Sequence, residues 1–300
     1  MKYPKGFFGV VAVLSVTVVI AAVILIWERR IEHPREPSEQ KRIEQASPGR
    51  EDYQGAGNGE KSTERQLPLP ARKRMAIIID DIGHNLAPVR DLLEIDAPLT
   101  FAILPQCSHS TDAAEMVYRA GREILLHLPM EPHDYPDENP GPGAIFLRMS
   151  DDDIRGQVEQ DIASVPHCSG VNNHMGSRFM EDGEKLTLVM KILKEKGLFF
   201  IDSRTTRYSR GRELAAETGV RFASRGVFID NDHDQNITMR NLIPAGKNGA
   251  REKSGTLLMI GHPYPETVRA LKKVVPTLRA HGFVIVPASK LTETIASAKH

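Results

Sequence analysis

The chain has 300 residues, of which 40% are hydrophobic and 26% are charged, and its 39 basic and 39 acidic residues give a formal net charge of zero. This length allows one or two domains with a sizeable core. The balanced charge argues against nucleic-acid binding. The two cysteines, Cys107 and Cys168, do not form a C-x-x-C motif, which argues against a thiolate zinc site and leaves open whether they pair in an oxidising compartment.

The N-terminal segment has the composition of a membrane anchor. Gly6 to Trp27 contains no charged residue and is long enough to cross a hydrocarbon layer of roughly 30 Å. Lys2 and Lys5 precede it. We predict that residues 1–30 are an uncleaved transmembrane helix in the inner or cytoplasmic membrane, with the rest of the chain facing the periplasm or the cell exterior. A cleavable signal peptide is the alternative.

Composition then divides the rest of the chain. Residues 31–74 are rich in Pro, Glu, Gln, Ser and charged residues and have no hydrophobic period. Such a segment buries too little apolar surface to offset the entropy lost on ordering, so we predict a disordered linker. Residues 75–291 are predicted to form the folded domain, and residues 292–300 a short tail.

Six short apolar runs in the domain end in side chains that bind metals or transfer protons. These endings are Asp80-Asp81, His127, Asn172-Asn173-His174, Asp202-Ser203-Arg204, Asp230 and Gly261-His262. Their repetition predicts parallel strands whose C-terminal ends meet at one place, where α/β proteins build their sites.

Helical segments alternate with these runs. Ser150 to Asp153 has the form of a capping box and predicts a helix that runs toward Val165. Amphipathic helices are predicted at Asp182–Lys196 and Glu266–Ala280. Alternation of strands and helices indicates parallel strands with helical crossovers, and therefore a closed or nearly closed (β/α) barrel. An open doubly wound sheet is the alternative.

The first candidate site residues follow two of the apolar runs. Asp80 and Asp81 are adjacent carboxylates at a strand end, an arrangement that is costly unless a cation or proton separates their charges. This favours one as a metal ligand and the other as a base. His127 ends another run, and Glu131 follows four residues later, which offers a second pair of ligand types.

Further candidates come from the remaining runs. His174 is a candidate ligand, Asn173 a candidate donor to an oxyanion, and His262 a candidate general acid. Asp202 and Arg204 place an acid and a guanidinium together, either as catalytic groups or as a structural ion pair. The acidic residues after Asp230 favour a helix cap over a second metal site, and His133 is expected at the surface.

These motifs resemble those of a known family. Ile79-Asp-Asp-Ile-Gly83 resembles the first motif of the NodB-homology polysaccharide deacetylases, and Gly121-Arg-Glu-Ile-Leu-Leu-His127 resembles the second. With Asn173–Ser177, Asp202–Thr205 and Gly261–Pro263, the set resembles the divergent polysaccharide deacetylases over residues 75–291. The resemblance implies a distorted (β/α) barrel, a divalent metal ion such as zinc, and hydrolysis of N-acetyl groups on amino sugars.

Carried over by motif, the resemblance assigns Asp80 as the base, Asp81 and His127 as metal ligands, and His262 as the general acid. The chain departs from the family at Glu131, where the second motif usually has a histidine. It also departs at the third motif, which usually has Arg and Pro where Asn173 and His174 stand. The implied ligand set is therefore Asp81 and His127 with either His174 or Glu131.

The sequence thus predicts a membrane-tethered, metal-dependent hydrolase of N-acetyl groups on an envelope glycan or peptidoglycan. One alternative is a catalytically inactive barrel that binds a glycan or an envelope protein. A metal-dependent phosphoesterase is a further alternative.

Overall fold

The computed structural model of the protein describes residues 73–243 and 256–296. Ten β-strands occur within these two ranges. In chain order they are β1 (Lys73–Ile82), β2 (Thr100–Ile103), β3 (Glu123–Met130), β4 (Gly170–Met175), β5 (Phe199–Asp202), β6 (Arg221–Ser224), β7 (Val227–Phe228), β8 (Thr256–Gly261), β9 (Phe283–Ile285) and β10 (Glu293–Thr294).

Seven α-helices occur within the same two ranges and connect the strands. They are α1 (Ala87–Leu93), α2 (Ser110–Arg119), α3 (Asp151–Ser164), α4 (Gly183–Glu195), α5 (Gly211–Thr218), α6 (Gln235–Leu242) and α7 (Pro265–Ala280). Two short 3₁₀ turns, Phe179–Glu181 and Ala288–Leu291, complete the secondary structure of these ranges.

The strand order is that of a barrel opened on one side. The path along the sheet is β10-β6-β5-β4-β3-β2-β1-β8-β7, and β9 also pairs with β1. All pairs are parallel except that of β10 with β6. Strands β1 to β6 follow each other along the chain and are neighbours, and β8 closes back onto β1. The predicted α/β barrel architecture is therefore present as a curled, incompletely closed sheet, and the doubly wound alternative is wrong.

Two apolar cores lie on the two faces of this sheet. In β1, Met75, Ile77 and Ile79 belong to the larger core, which also contains the buried faces of the helices. The alternate residues Ala76 and Ile78 belong to the smaller core inside the curl. Successive side chains of a strand point to opposite faces. This alternation decides which polar residues at the strand ends face inward.

The predicted helix boundaries are confirmed where the sequence contains a capping residue or a terminating glycine. The Ser150 hydroxyl accepts a hydrogen bond from the Asp153 backbone N–H (3.2 Å) and caps α3. Asp182 caps α4 by accepting from Lys185 N–H at 2.9 Å. Gly197 follows α4 with a φ of 73°, a left-handed conformation that glycine adopts at little cost. Boundaries set by such local contacts are readable from sequence.

Both cysteines are free thiols within this fold. Cys107 and Cys168 are each half-buried. Burial raises the pKa of both thiols, that of Cys168 to about 11. Of the two possibilities that the sequence left open, the fold has the free thiols.

The predicted membrane anchor at residues 6–27 and most of the predicted linker lie outside the described residues. Within residues 73–243 and 256–296, no helix is long and apolar enough to span a membrane.

Candidate metal centre

Polar side chains from four strands face the inside of the curl at its C-terminal edge. Asp80, His127 and His262 continue the inward-facing alternation of β1, β3 and β8. His127 pairs in register with Asn172 of β4, whose neighbour Val171 lies in the larger core. The strand period therefore brings all four side chains to one face.

The chain changes direction at Asp81, so both members of the Asp80-Asp81 pair approach His127. Asp81 has a φ of 56°, which is uncommon for a residue other than glycine, and the pairing of β1 with β2 shifts register between Ile79 and Ile82. His127 Nε2 lies 3.6 Å from Asp80 Oδ2 and 3.1 Å from Asp81 Oδ1. The Asp80 side chain is 3% exposed and that of Asp81 is 32% exposed.

Three ligand-type atoms form a nearly equilateral triangle. Asp81 Oδ1 lies 3.0 Å from His174 Nδ1 and 3.1 Å from His127 Nε2, and the two imidazole nitrogens are 3.1 Å apart. Atoms bound to one ion at about 2.0–2.1 Å, at angles between about 90° and 110°, are about 2.8–3.4 Å apart. The observed separations fit a single small divalent ion held by Asp81, His127 and His174.

The lack of a well-placed hydrogen-bond donor at Asp81 Oδ1 among the described residues also fits a bound cation. Although two imidazole nitrogens lie within 3.1 Å of Asp81 Oδ1, this buried oxygen has no well-aligned donor among the described residues. Burial raises the pKa of Asp81, but the two imidazoles outweigh burial and hold this pKa well below its ordinary value. The carboxylate is therefore ionised, as a metal ligand must be.

Asn172 sets the tautomer of His127 and also holds Asp80. Its Oδ1 lies 3.0 Å from His127 Nδ1, and its Nδ2 donates to Asp80 Oδ1 at 2.9 Å. Because an amide oxygen only accepts, Nδ1 of His127 carries a proton, which leaves Nε2 as the ring nitrogen that can bind an ion. One amide thus orients a ligand and a candidate base together.

The buried charges influence each other. Burial raises the pKa of Asp80, and the attraction of His127 only partly offsets this rise. Burial lowers the pKa of His127, but the carboxylates of Asp80 and Asp81 outweigh it and raise the pKa to about 9. In the absence of an ion, this cluster therefore retains a proton on His127. Binding a metal ion would displace that proton.

His262 faces the cluster from β8 and is oriented by Asp230. Its Nδ1 lies 3.0 Å from Asp230 Oδ1, and its backbone N–H donates to Asp230 Oδ2 at 2.6 Å. Thr267 also donates to Asp230 Oδ2, at 2.7 Å. Nε2 of His262 points toward the centre, 3.9 Å from Asp81 Oδ2. Burial lowers the pKa of His262, and Asp230 outweighs it, so the net shift is upward.

Comparison with known proteins identifies the family. The model of the divergent polysaccharide deacetylase family matches residues 77–292. The chain belongs to this family. It is 31% identical over 224 residues to the uncharacterized protein YibQ of Escherichia coli K12, a match that covers 73% of this chain and 68% of that one. It is 33% identical over 202 residues to an uncharacterized protein of Haemophilus influenzae, a match that covers 67% of this chain and 71% of that protein.

A solved structure supports the fold of this member of the family. The uncharacterized protein ATU2773 of Agrobacterium tumefaciens C58 superposes with a TM-score of 0.69, over 75% of this chain and 92% of that chain, at 23% sequence identity. At this identity the similarity establishes the fold alone. The family resemblance stated from the motifs is confirmed by the family model.

Glu131, predicted as an alternative metal ligand, does not reach the centre. Its Oε1 accepts from the Arg178 guanidinium at 2.9 Å, and its Oε2 accepts from Leu147 N–H at 2.7 Å. The backbone leaves β3 after Met130, so the spacing of four residues does not place Glu131 beside His127. Its carboxylate instead joins two loops.

Asn173, predicted to stabilise an oxyanion, points away from the centre. It shares the strand face of Val171, and its Oδ1 accepts from Ser203 N–H at 2.8 Å. Its Nδ2 donates to the Met175 carbonyl at 2.8 Å. Both ends of the amide are therefore occupied, by the loop after β5 and by the last residue of β4, because the alternation of β4 turns Asn172 inward and Asn173 outward.

Asp202 and Arg204 form neither a catalytic pair at the centre nor an ion pair with each other. The Asp202 carboxylate accepts from Arg204 backbone N–H at 2.6 Å and from the Ser209 hydroxyl at 2.7 Å. Arg204 has a φ of 50°. The carboxylate thus stabilises the turn that follows β5, and burial raises its pKa.

Two residues at the centre were missed by the motif analysis. Asn172 was overlooked in favour of Asn173, because strand alternation places the two on opposite faces but does not show which face points to the centre. Asp230 was noted only as a strand ending, and its partner His262 lies 32 residues away in sequence. Asp234 caps α6, as expected for this acidic stretch, and His133 is half-exposed and contacts Glu181 at 3.3 Å.

Proposed function

We propose that this protein is a zinc-dependent hydrolase that removes N-acetyl groups from an envelope glycan. The observation that carries the proposal is the triangle of Asp81, His127 and His174. Buried Asp80 lies 3.6 Å from His127 Nε2, and His262 Nε2 lies 3.9 Å from Asp81 Oδ2. Three protein ligands leave a coordination position free for water or substrate, which is the pattern of catalytic zinc sites.

The roles of the surrounding residues follow from their contacts. A bound zinc ion would polarise the acetamide carbonyl and lower the pKa of a water molecule. Asp80, held by Asn172 beside His127, accepts the proton of the attacking water. His262 donates the proton of Nε2 to the departing amine nitrogen, while Asp230 keeps its Nδ1 protonated. One acid and one base thus lie close to the ligand atoms.

The substrate and location are argued from the family and from the N-terminal sequence. The family description supports a polysaccharide substrate. The uncharged segment from Gly6 to Trp27 supports a membrane anchor, with the domain in the periplasm or at the cell exterior. Peptidoglycan and other N-acetylated envelope glycans are the polymers that such a domain can reach.

Acetate release is the direct test. The full chain, purified in uncharged detergent and loaded with zinc, is expected to release acetate from peptidoglycan or chitin oligomers. Asp80→Asn keeps the shape of the side chain and removes the base, so turnover should fall by roughly 10²–10⁴-fold with zinc content unchanged. Asp232→Asn, an exposed site after β7, is the matched control and should retain full activity.

Three results would contradict the proposal. If the zinc-loaded chain binds these glycans and releases no acetate, the protein is the inactive, glycan-binding barrel. If it hydrolyses phosphate esters and leaves acetamides intact, it is a phosphoesterase. Loss of activity in Asp232→Asn to the same extent as in Asp80→Asn would remove Asp80 from its role as base.

A further inference from the structure

A cavity lies apart from the metal centre, at the end of the sheet formed by β6 and β10. It has a volume of about 600 Å³ and includes residues of β1, β6, β8 and the loop after β5. None of Asp80, Asp81, His127, His174 or His262 lines it. It is therefore a different site from the one described above.

Five positively charged residues line this cavity. They are Arg74, Arg204, Arg207, Arg212 and Lys290. No carboxylate oxygen of residues 73–243 or 256–296 lies within 4.0 Å of their charged nitrogens, although other arginines and lysines of the domain form such pairs. Unpaired positive charges grouped around one cavity create a field that attracts anions.

The two carboxylates of the wall, Asp202 and Glu293, offset only part of the charge of the five basic residues. Asp202 is buried and already accepts two hydrogen bonds, from Arg204 N–H and the Ser209 hydroxyl. Glu293 is exposed and forms no ion pair among the described residues. The cavity therefore keeps an excess of positive charge. A ligand with negative charge can satisfy these groups.

The number and type of the charges indicate the ligand class. Guanidinium groups match phosphate oxygens with paired hydrogen bonds. Cavities of roughly 300–1,000 Å³ hold ligands larger than a single ion. We propose that this cavity binds a phosphorylated sugar, independently of the metal centre. The phosphate contacts the arginines, and the sugar fills the remaining volume.

Calorimetric titration of the full chain with glucose 6-phosphate at low ionic strength tests the proposal. We expect saturable binding with a Kd below about 1 mM, and no binding of glucose. Arg74→Gln and Arg212→Gln should each weaken binding by about tenfold or more. Arg240→Gln, an exposed arginine of α6 outside the cavity, is the matched control and should bind like the wild type.

Three further measurements separate binding in this cavity from binding at the metal centre and from a purely structural role of the arginines. Asp81→Ala should bind glucose 6-phosphate normally, whereas loss of binding would place the ligand at the metal centre and overturn the proposal. Equal affinity for orthophosphate would contradict the size argument.

Without ligand, Arg74→Gln and Arg212→Gln should leave Tm unchanged or higher, because they relieve repulsion between like charges. A fall in Tm in both, with unchanged affinity, would show that the arginines are only structural.

Discussion

Replacing Asn172 tests whether one buried amide organises the whole metal centre. Asn172→Leu keeps a similar volume and removes both hydrogen-bonding groups. It deprives Asp80 Oδ1 of its donor at 2.9 Å and His127 Nδ1 of its acceptor at 3.0 Å. The imidazole is then free to adopt the other tautomer, in which Nε2 carries the proton and cannot bind a metal ion.

The size of the expected losses in stability and metal affinity follows from the burial of these groups. Asp80, His127 and Asn172 are at most 2% exposed, so water does not replace the lost partners. Each unsatisfied buried group costs about 1–3 kcal/mol, which gives about 2–6 kcal/mol in the free energy of unfolding. Removing the partner that orients a metal-binding histidine lowers metal affinity by about 10–100-fold.

Competition with a chromogenic chelator measures the loss of zinc affinity. Urea unfolding of the metal-free chain measures the loss in free energy of unfolding. Asn173→Leu is the matched control, because Asn173 is also buried but bonds to Ser203 and Met175 and not to Asp80 or His127. It should lose stability and keep its zinc affinity. An equal loss of zinc affinity in both variants, or no loss in Asn172→Leu, would refute the reasoning.

Three further predictions concern other ionisable groups. Asp230→Asn should lower the pKa of His262, because the negative charge that raises it is gone; a general acid must be protonated, so the alkaline limb of the pH–rate profile should move to lower pH. Glu131→Gln should leave zinc content unchanged by elemental analysis and lower the free energy of unfolding by about 1 kcal/mol, since only the ion pair with half-exposed Arg178 is lost. Burial raises the pKa of Asp161 from 3.8 to about 7, so the folded chain retains a proton that the unfolded chain releases, and stability should fall as the pH rises through this interval. Urea unfolding of Asp161→Asn should show a weaker decline, and an identical pH dependence in both proteins would contradict this assignment.

The sequence by itself predicted the features that depend on neighbouring residues. The apolar runs that end in acids or histidines predicted parallel strands, since strands buried on both faces are nearly continuous in hydrophobic residues. Ser150 and Asp182 predicted the starts of α3 and α4, because a cap bonds to the backbone three residues ahead. The motifs around Asp80 and His127, together with the three later motifs, were sufficient to indicate the family.

Only the tertiary structure decided how the strand ends combine. Asp230 and His262 come from separate strand ends, and nothing local in either segment encodes their hydrogen bond. Glu131 and His127 are four residues apart in sequence, yet the chain turns away after β3 and Arg178, from beyond β4, takes the Glu131 carboxylate. Such contacts depend on how elements far apart in the chain pack together. The spacing of nearby residues does not predict that packing.

The choice between Asn172 and Asn173 depends partly on the sequence and partly on the tertiary structure. Both residues are buried asparagines at the end of the same strand, and the sequence contains the alternation that separates them. The alternation alone does not show which of the two faces the metal centre. The structure decides this by placing Val171 in the core that contacts the helices. A strand's period of two fixes which side chains share a face, but the packing of the sheet against its helices decides which face looks onto the metal centre.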